Sequence, residues 1–325
     1  LKKKAKSIAS ATAAIVFAAF ILSSVIYYQY SIHAEKKDVE TIKVAYLPIT
    51  HSLPVLELAK ELDADKNSDI KIELVKYGSW PELMDALSSG NVDAASVLVE
   101  LAIKAYDSGS HLQLAALGHR DGNVIIGSND IKSAEDLKGK SVAIPSPQSS
   151  HNILLRQYLQ SAGLSDSDVT FLELAPTEMP FALQSKKIDA YCVAEPFGAQ
   201  AVGKGIGHVL ETSENLWKDS ICCGLVWNTD WSKEHQDTAD EFLDKYLETG
   251  DSLNSDKDEE LSLATEYLKG TKSVLEQSLQ WISYDDLEIT EDNYDTLSEK
   301  MKQYGLNENP PTFGDFVYQK GGKAK

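Results

Sequence analysis

The sequence predicts an α/β architecture of two lobes joined by hinge crossovers, preceded by an N-terminal transmembrane or signal helix. Three observations predict it. Short apolar or alternating runs of strand length alternate with helical patterns between about residues 41 and 230. The order strand–helix–strand–helix–strand occurs twice, over 41–117 and over 140–210. Lys2, Lys3, Lys4 and Lys6 precede a stretch without charge, Ile8–Tyr28.

The N-terminal stretch comes first. At ~1.5 Å per residue, Ile8–Tyr28 reaches about 31 Å, enough to cross a bilayer core. The lysines place the N-terminus inside and the body outside, with Tyr27, Tyr28 and Tyr30 at the outer interface. The alternative is a cleaved signal peptide. Its best cleavage point, before Glu35, carries Ile32 where a small residue belongs. The expected organisation is an anchor or signal segment over 1–34, a tether over 35–40, one lobe from 41–118 with 225–325, and a second lobe from 119–224.

Composition fits an exported body. The four lysines are the only charges in 1–34, which leaves 27 of the 31 Lys and Arg against 50 Asp and Glu, a net charge of −23. That balance excludes a nucleic-acid-binding surface and disfavours an anionic membrane surface. Three cysteines make no disulfide framework. Cys222 and Cys223 are adjacent, Cys192 could pair with one of them, and three reduced, buried thiols are the expectation. No Cys or His spacing reads as a metal motif, and no metal or cofactor is expected.

The elements follow in order. Ile42–Leu47 alternates as a strand and Pro48 stops it; Thr50-His51-Ser52 opens a helix to about Leu62. Ile70–Tyr77 is a second strand, Trp80–Ser88 a helix ended by Gly90, and Ala94–Val99 a buried strand. Leu112–Gly118 and Val124–Gly127 flank a crossover. Ala134–Leu137 is a helical turn, Val142–Ile144 a strand, and Ser150–Ala162 a helix stopped by Gly163. Strands at Val169–Leu174, Ala190–Val193 and His208–Leu210 alternate with helices at Glu178–Gln184 and Phe197–Gly203. Cys223–Asn228 carries the chain back, and from Lys233 it is mostly helical and acidic.

The stretch Lys140–Gly207 points to a ligand site. A short strand runs into Ser149-Ser150-His151-Asn152, where a helix begins. A helix start offers unpaired N–H groups and a partial positive charge, suited to a small anion or polar ligand. A second strand ends in Glu195-Pro196. In open α/β sheets ligands collect outside the carboxyl ends of strands, so both segments suggest one wall of a cleft.

Several segments carry a resemblance when taken together and in order. They are Ala45-Tyr-Leu-Pro-Ile-Thr-His51, Trp80-Pro-Glu-Leu-Met-Asp-Ala-Leu87 with Gly90-Asn-Val-Asp-Ala-Ala95, Ser149-Ser-His-Asn-Ile-Leu-Leu-Arg156, and Ala194-Glu-Pro-Phe197 with Gly203-Lys-Gly-Ile-Gly207. Over about residues 41–230 the chain resembles substrate-binding proteins of ABC importers for nitrate, sulfonates, taurine and bicarbonate, which share a fold with thiamine-precursor binders. The resemblance implies a periplasmic-binding-protein type II fold. It also implies that Thr50, His51, Ser79, Trp80, Ser149, Ser150 and His151 face the ligand, with Glu195 a further cleft position. Arg120 lies near the predicted crossover and could enter the cleft. Arg156, the only other arginine, falls roughly 140° round the helix from His151 and points away.

The implied function is non-enzymatic. A monomer, anchored to the membrane with its binding domain outside the cytoplasm, captures a small anionic or polar solute and delivers it to an ABC permease. Alternatives are a binder of a thiamine-pyrimidine or riboflavin-type precursor, or a pyrimidine-synthase-like enzyme using His51, Cys192 or Cys222. No nucleophile–base–orienter set supports the enzyme. A ligand-sensing regulator is a further class, but its helix-turn-helix is replaced here by the apolar segment.

Overall fold

The computed structural model describes residues 21–24 and 39–322. The chain divides into two compact units, 1–40 and 41–325. In the first, Ile21–Ser24 is helical and exposed. The rest of the expected anchor Ile8–Tyr28 lies outside the described residues. Among the described residues, no helix is long and apolar enough to cross a membrane.

The second unit holds two five-stranded sheets. The first is built from β1 (Glu40–Tyr46), β2 (Ile70–Lys76), β3 (Ala94–Leu98), β4 (Leu112–Leu117) and β11 (Cys223–Asn228), in the order β2-β1-β3-β11-β4. The second uses β6 (Asn123–Ser128), β7 (Ser141–Ile144), β8 (Thr170–Glu173), β9 (Ala190–Ala194) and β10 (Gly207–Thr212), in the order β10-β6-β9-β7-β8. The orders match when read from β2 and from β8. In each sheet the first and third strands of the lobe pair in parallel. In each, an antiparallel strand supplied by a crossover, β11 or β6, inserts before the edge strand. The repeat seen in sequence is therefore a repeat of topology. Every residue of β3, β9 and β11 is buried, as central strands covered by helices on both faces must be. The edge strand β2 alternates, with Ile70 and Ile72 inward.

The helices obey local rules. Trp80–Ser88 has Pro81 in its first turn and Glu82 near its N-terminus, and buries Trp80, Leu83, Ala86 and Leu87 along one face. Ser149 caps Ser150–Ser161: its Oγ accepts the Asn152 N–H at 3.4 Å and donates to the Ser146 carbonyl at 2.6 Å. The expected elements appear with ends within a few residues, and the fold adds others, Ser213–Leu216 among them. The helix expected from Thr50 opens as a 3-10 turn, Thr50–Ser52, before Leu53–Ala64. The helix Val99–Asp107 had no capping signal; its N-cap is Leu98, without a side-chain bond. The short strands β5 (Arg120–Asp121) and β12 (Ile282–Ser283) pair with each other. That pairing clasps the first crossover with a segment from the acidic C-terminal helical region. Two helices of that region also pack across the unit: Gln236–Ser255 on Leu53–Ala64, and Lys272–Ser278 on Phe197–Gly203.

Candidate functional site

Four equivalent loops, two from each sheet, converge at the carboxyl ends of the strands. After β1 comes Thr50–Ser52, and after β7 the Ser149–His151 helix start. After β3 comes Glu100, and after β9 the Glu195-Pro196 turn, a cis peptide. Thr50 joins the two sides: its N–H and its hydroxyl both donate to the Glu195 carbonyl, at 2.9 and 3.1 Å. The two crossovers, residues 118–122 and 217–222, pass beside the same point. A side chain at Gly118 would be crowded there. A Cβ would lie 3.0 Å from the His51 carbonyl oxygen and 3.2 Å from that of Cys223.

Where loop and crossovers meet, His51, His119, Cys222 and Cys223 are brought together, all buried, with their ligand-type atoms within 4.8 Å of one another. His51 Nε2 lies 3.2 Å from the Gly122 carbonyl, an acceptor only, so Nε2 carries the proton. Its Nδ1 then presents a lone pair to Cys223 Sγ at 3.4 Å and Cys222 Sγ at 3.7 Å. The two sulfurs are 3.9 Å apart, and all three cysteines of the chain are free thiols. The His119 ring stacks on His51, centroids 3.5 Å apart, and its Nε2 accepts the Cys223 N–H at 3.3 Å. Burial holds His119 down at about 4. Burial alone would raise the Cys222 thiol, but hydrogen bonding to its sulfur, from the Cys223 thiol first, holds it well below the ordinary range. Burial pushes Cys223 up.

Beside this cluster lie buried polar atoms with no formed hydrogen bond among the described residues, Glu100 and Ser150 facing each other among them. They are both carboxylate oxygens of Glu100, Ser150 Oγ, both ring nitrogens of His151, His119 Nδ1 and Asn123 Nδ2. Burial raises Glu100 well above the usual carboxylate range and lowers His151 to about 4. Buried polar groups are normally satisfied, so such a concentration marks a place for polar or ionic contact with something else. Trp80 is also buried with its Nε1 unpartnered. It lines an open groove of about 470 Å³ with Leu101 on one side and Ser146 and Glu173 on the other.

The NMT1-like family model matches residues 35–267. The chain belongs to the NMT1-like family. A ligand-binding component of an ABC-type import system from Staphylococcus aureus, solved with zinc bound, is 37% identical; the match covers 86% of this chain and 96% of that one, with a TM-score of 0.82. The periplasmic nitrate-binding protein NrtA of Synechocystis PCC 6803 superposes at a TM-score of 0.75 over 83% of each chain, at 19% identity, and so shares the two-lobed periplasmic-binding-protein fold. The nitrate/nitrite binding protein NrtA of Nostoc is 25% identical over 240 residues, 66% of this chain and 54% of that protein. The chain spans about half the length or less of the first curated relatives it matches.

Within this NMT1-like chain the expected cleft positions divide. His51, Ser150 and His151 reach the buried centre, the last two with unpartnered atoms. Thr50 and Ser149 are committed to the fold, one bridging the lobes and one capping a helix. Ser79 is half-buried at the N-cap of the Trp80 helix and makes no capping bond. Glu195 is buried; Oε2 accepts the Ala199 N–H at 3.0 Å, Oε1 has no partner, and burial raises it to about 8. Arg120, expected near the crossover, is engaged with Asp286. Its Nε and Nη2 donate to the Asp286 carbonyl at 3.1 and 2.5 Å, and Nη2 also meets the Asp286 carboxylate at 3.3 Å. Its donors thus hold the C-terminal region rather than face the cleft. Arg156 pairs with Asp166 at 3.0 Å and donates to the Tyr304 carbonyl, away from the centre. No Cys or His spacing along the sequence marks a metal motif, yet four such side chains converge although His51 and Cys223 are 172 positions apart. Glu100 and Asn123 were missed. A glutamate directly after the apolar run Val97-Leu98-Val99 was the available signal for Glu100.

Proposed function

We propose that this chain is the extracytoplasmic solute-capturing component of an ABC importer, working with a membrane permease and carrying out no chemistry of its own. One observation carries the reading. Two sheets of like topology face each other through their strand carboxyl ends and enclose unpartnered polar atoms from both lobes, Glu100 from one, Ser150 and His151 from the other. A solute held there is out of water and gripped by both lobes, so its binding drives hinge closure and its release needs opening. The relatives described above, a ligand-binding import component and nitrate-binding proteins, support it.

The solute class follows from the charges. Both arginines serve elsewhere, and a buried carboxyl, Glu100, stands in the pocket. Burial holds Glu100 protonated, so it carries no charge to repel nitrate, bicarbonate or a sulfonate and has one O–H to donate. A small anionic or polar solute that accepts from Glu100 and Ser150 fits this pocket. Zinc, which the Staphylococcus aureus relative carries, belongs in the same panel.

A thermal-shift screen of the purified chain against nitrate, bicarbonate, alkanesulfonates, taurine, vitamin precursors and zinc tests this. A true ligand at ~100 times its Kd adds about 2.7 kcal/mol. It should also shrink the radius of gyration in solution scattering. Steady conversion of any of these compounds would reject the non-enzymatic reading.

A further inference from the structure

We infer that His51, His119, Cys222 and Cys223 form a tetrahedral binding site for one zinc-class divalent ion at the hinge between the lobes. The donor set comes first. Two imidazoles and two thiols are the N₂S₂ combination that selects zinc over the oxygen-seeking calcium, magnesium and manganese. All four side chains are buried, and no pairing among them accounts for all their polar atoms: His119 Nδ1 has no partner.

The spacing comes second. With Zn–S of about 2.3 Å and Zn–N of about 2.05 Å, a regular tetrahedron has S···S edges of about 3.8 Å and S···N edges of about 3.6 Å. The sulfurs of Cys222 and Cys223 are 3.9 Å apart, and His51 Nδ1 is 3.4 and 3.7 Å from them. Three of the four corners therefore already stand at coordination spacing. Hydrogen bonding among thiols and imidazole allows such distances too, but it does not require all three edges together.

The orientation of His51 comes third. A metal-bound histidine usually donates its other ring N–H to a carbonyl or carboxylate, which fixes the tautomer. His51 does this with the Gly122 carbonyl at 3.2 Å, leaving Nδ1 toward the sulfurs. His119 is the corner that must move. Its ring lies only 27° from parallel with His51. Rotation about its Cβ–Cγ bond turns a nitrogen toward the same point and gives up the Cys223 N–H bond. The reaction is a ligand exchange: a cysteine that is still a thiol gives its proton to solvent on binding, one that is already a thiolate gives none, and there is no redox change.

Position gives the site a consequence. His51 belongs to the loop after β1, His119 to the first crossover, and Cys222 and Cys223 to the second crossover and its strand. One ion would fasten the first lobe to both hinge strands, beside Glu100, Ser150 and His151. The inference rests on the capture reading only in taking this space as the ligand site.

Cobalt(II), a spectroscopic stand-in for zinc, tests it on the whole purified chain with thiols kept reduced. The expected result is uptake of one equivalent, with the intense visible bands of tetrahedral cobalt, a near-ultraviolet thiolate charge-transfer band, and displacement by zinc. Cys222→Ser, Cys223→Ser and His51→Gln should each lose at least tenfold in affinity, and the serine variants should lose charge-transfer intensity. Cys192→Ala, outside the cluster, should keep the spectrum. Circular dichroism follows folding. In the unaltered protein, zinc should also protect Cys222 and Cys223 from alkylation, read by mass spectrometry, so the test stands if a variant fails to fold. A pale octahedral spectrum without a thiolate band, or binding that survives the Cys222→Ser/Cys223→Ser pair, overturns the proposal by placing the ion on the acidic surface. No cobalt uptake with closure on a solute from the panel sinks the metal site and keeps the capture reading. Cobalt uptake with no closure under any ligand does the reverse.

Discussion

The two lobes place a histidine and a carboxylate at equivalent points, and use them crosswise. His51 and His151 follow the first strand of their lobes; Glu100 and Glu195 follow the third. In the first lobe the histidine is engaged, with partners at both nitrogens, and the carboxylate has none. In the second lobe the carboxylate is engaged through one oxygen and the histidine has no partner. Gly198 makes that engagement possible, because a Cβ there would lie 2.4 Å from Glu195 Oε1. Equivalent topology thus supplies two kinds of site. His51 and Glu195 sit at the contact that joins the lobes; Glu100 and His151 are left for whatever enters between them. Repeated folds allow this division, since backbone placement is inherited twice while each side chain's partners depend on the facing lobe.

The largest expected effect breaks the comparison at Glu195. Burial raises its carboxyl to about 8 from an ordinary 4.5. Between those values the native state holds a proton that the unfolded chain releases. Its contribution is therefore fully present below about pH 4.5 and lost as the pH rises to 8. The slope is about 1.4 kcal/mol per pH unit for one proton. Glu195→Gln should melt with the parent near pH 4.5 and well above it at pH 8.5. Coincident melting curves across that range would mean that Glu195 is ionised in the native protein. His151 has the opposite sign. Lowered to about 4 from 6.5, it destabilises the native state as pH falls through that window, and His151→Gln should flatten the acid limb.

Next come the uncommitted groups. Glu100→Gln and the Ser150→Ala/His151→Ala pair should each weaken binding of the screened ligand by ~1–3 kcal/mol, as expected when a ligand's polar group loses its partner. Calorimetry measures this. Glu100→Gln should also stabilise the unliganded protein above the ordinary carboxylate pKa, because burial keeps Glu100 protonated while unfolding lets it ionise. An unchanged affinity in both variants would move the site out of the centre.

Smaller is the contact between lobes. Thr50→Val removes the hydroxyl bond to the Glu195 carbonyl and keeps the N–H bond. It should cost ~0.5–1.5 kcal/mol of closure, seen as a larger radius of gyration at a given ligand concentration. Smallest is Arg156→Ala, on the His151 helix but turned to Asp166 and Tyr304. It should leave affinity unchanged and reduce stability by ~1 kcal/mol or less. A large affinity loss there would show that the wrong face of the helix has been assigned to the ligand.

The sequence by itself determined the local backbone and the family. Apolar runs and alternation set the strands. Proline, glycine and serine punctuation gave Trp80–Ser88 and Phe197–Gly203 their full extent, and the strand–helix repeat announced two lobes. Those signals are local, because each residue's backbone state depends on near neighbours and on which face is buried. Val99–Asp107 escaped because no capping side chain marks its start. The tertiary structure alone decided which side chains meet. Arg120 found Asp286 across 166 positions, and His51 found Cys223 across 172. Those meetings follow from strand order and from two crossovers that return the chain to one point. No periodicity or spacing encodes such a meeting, so the centre of the site became visible only once the sheets were in place.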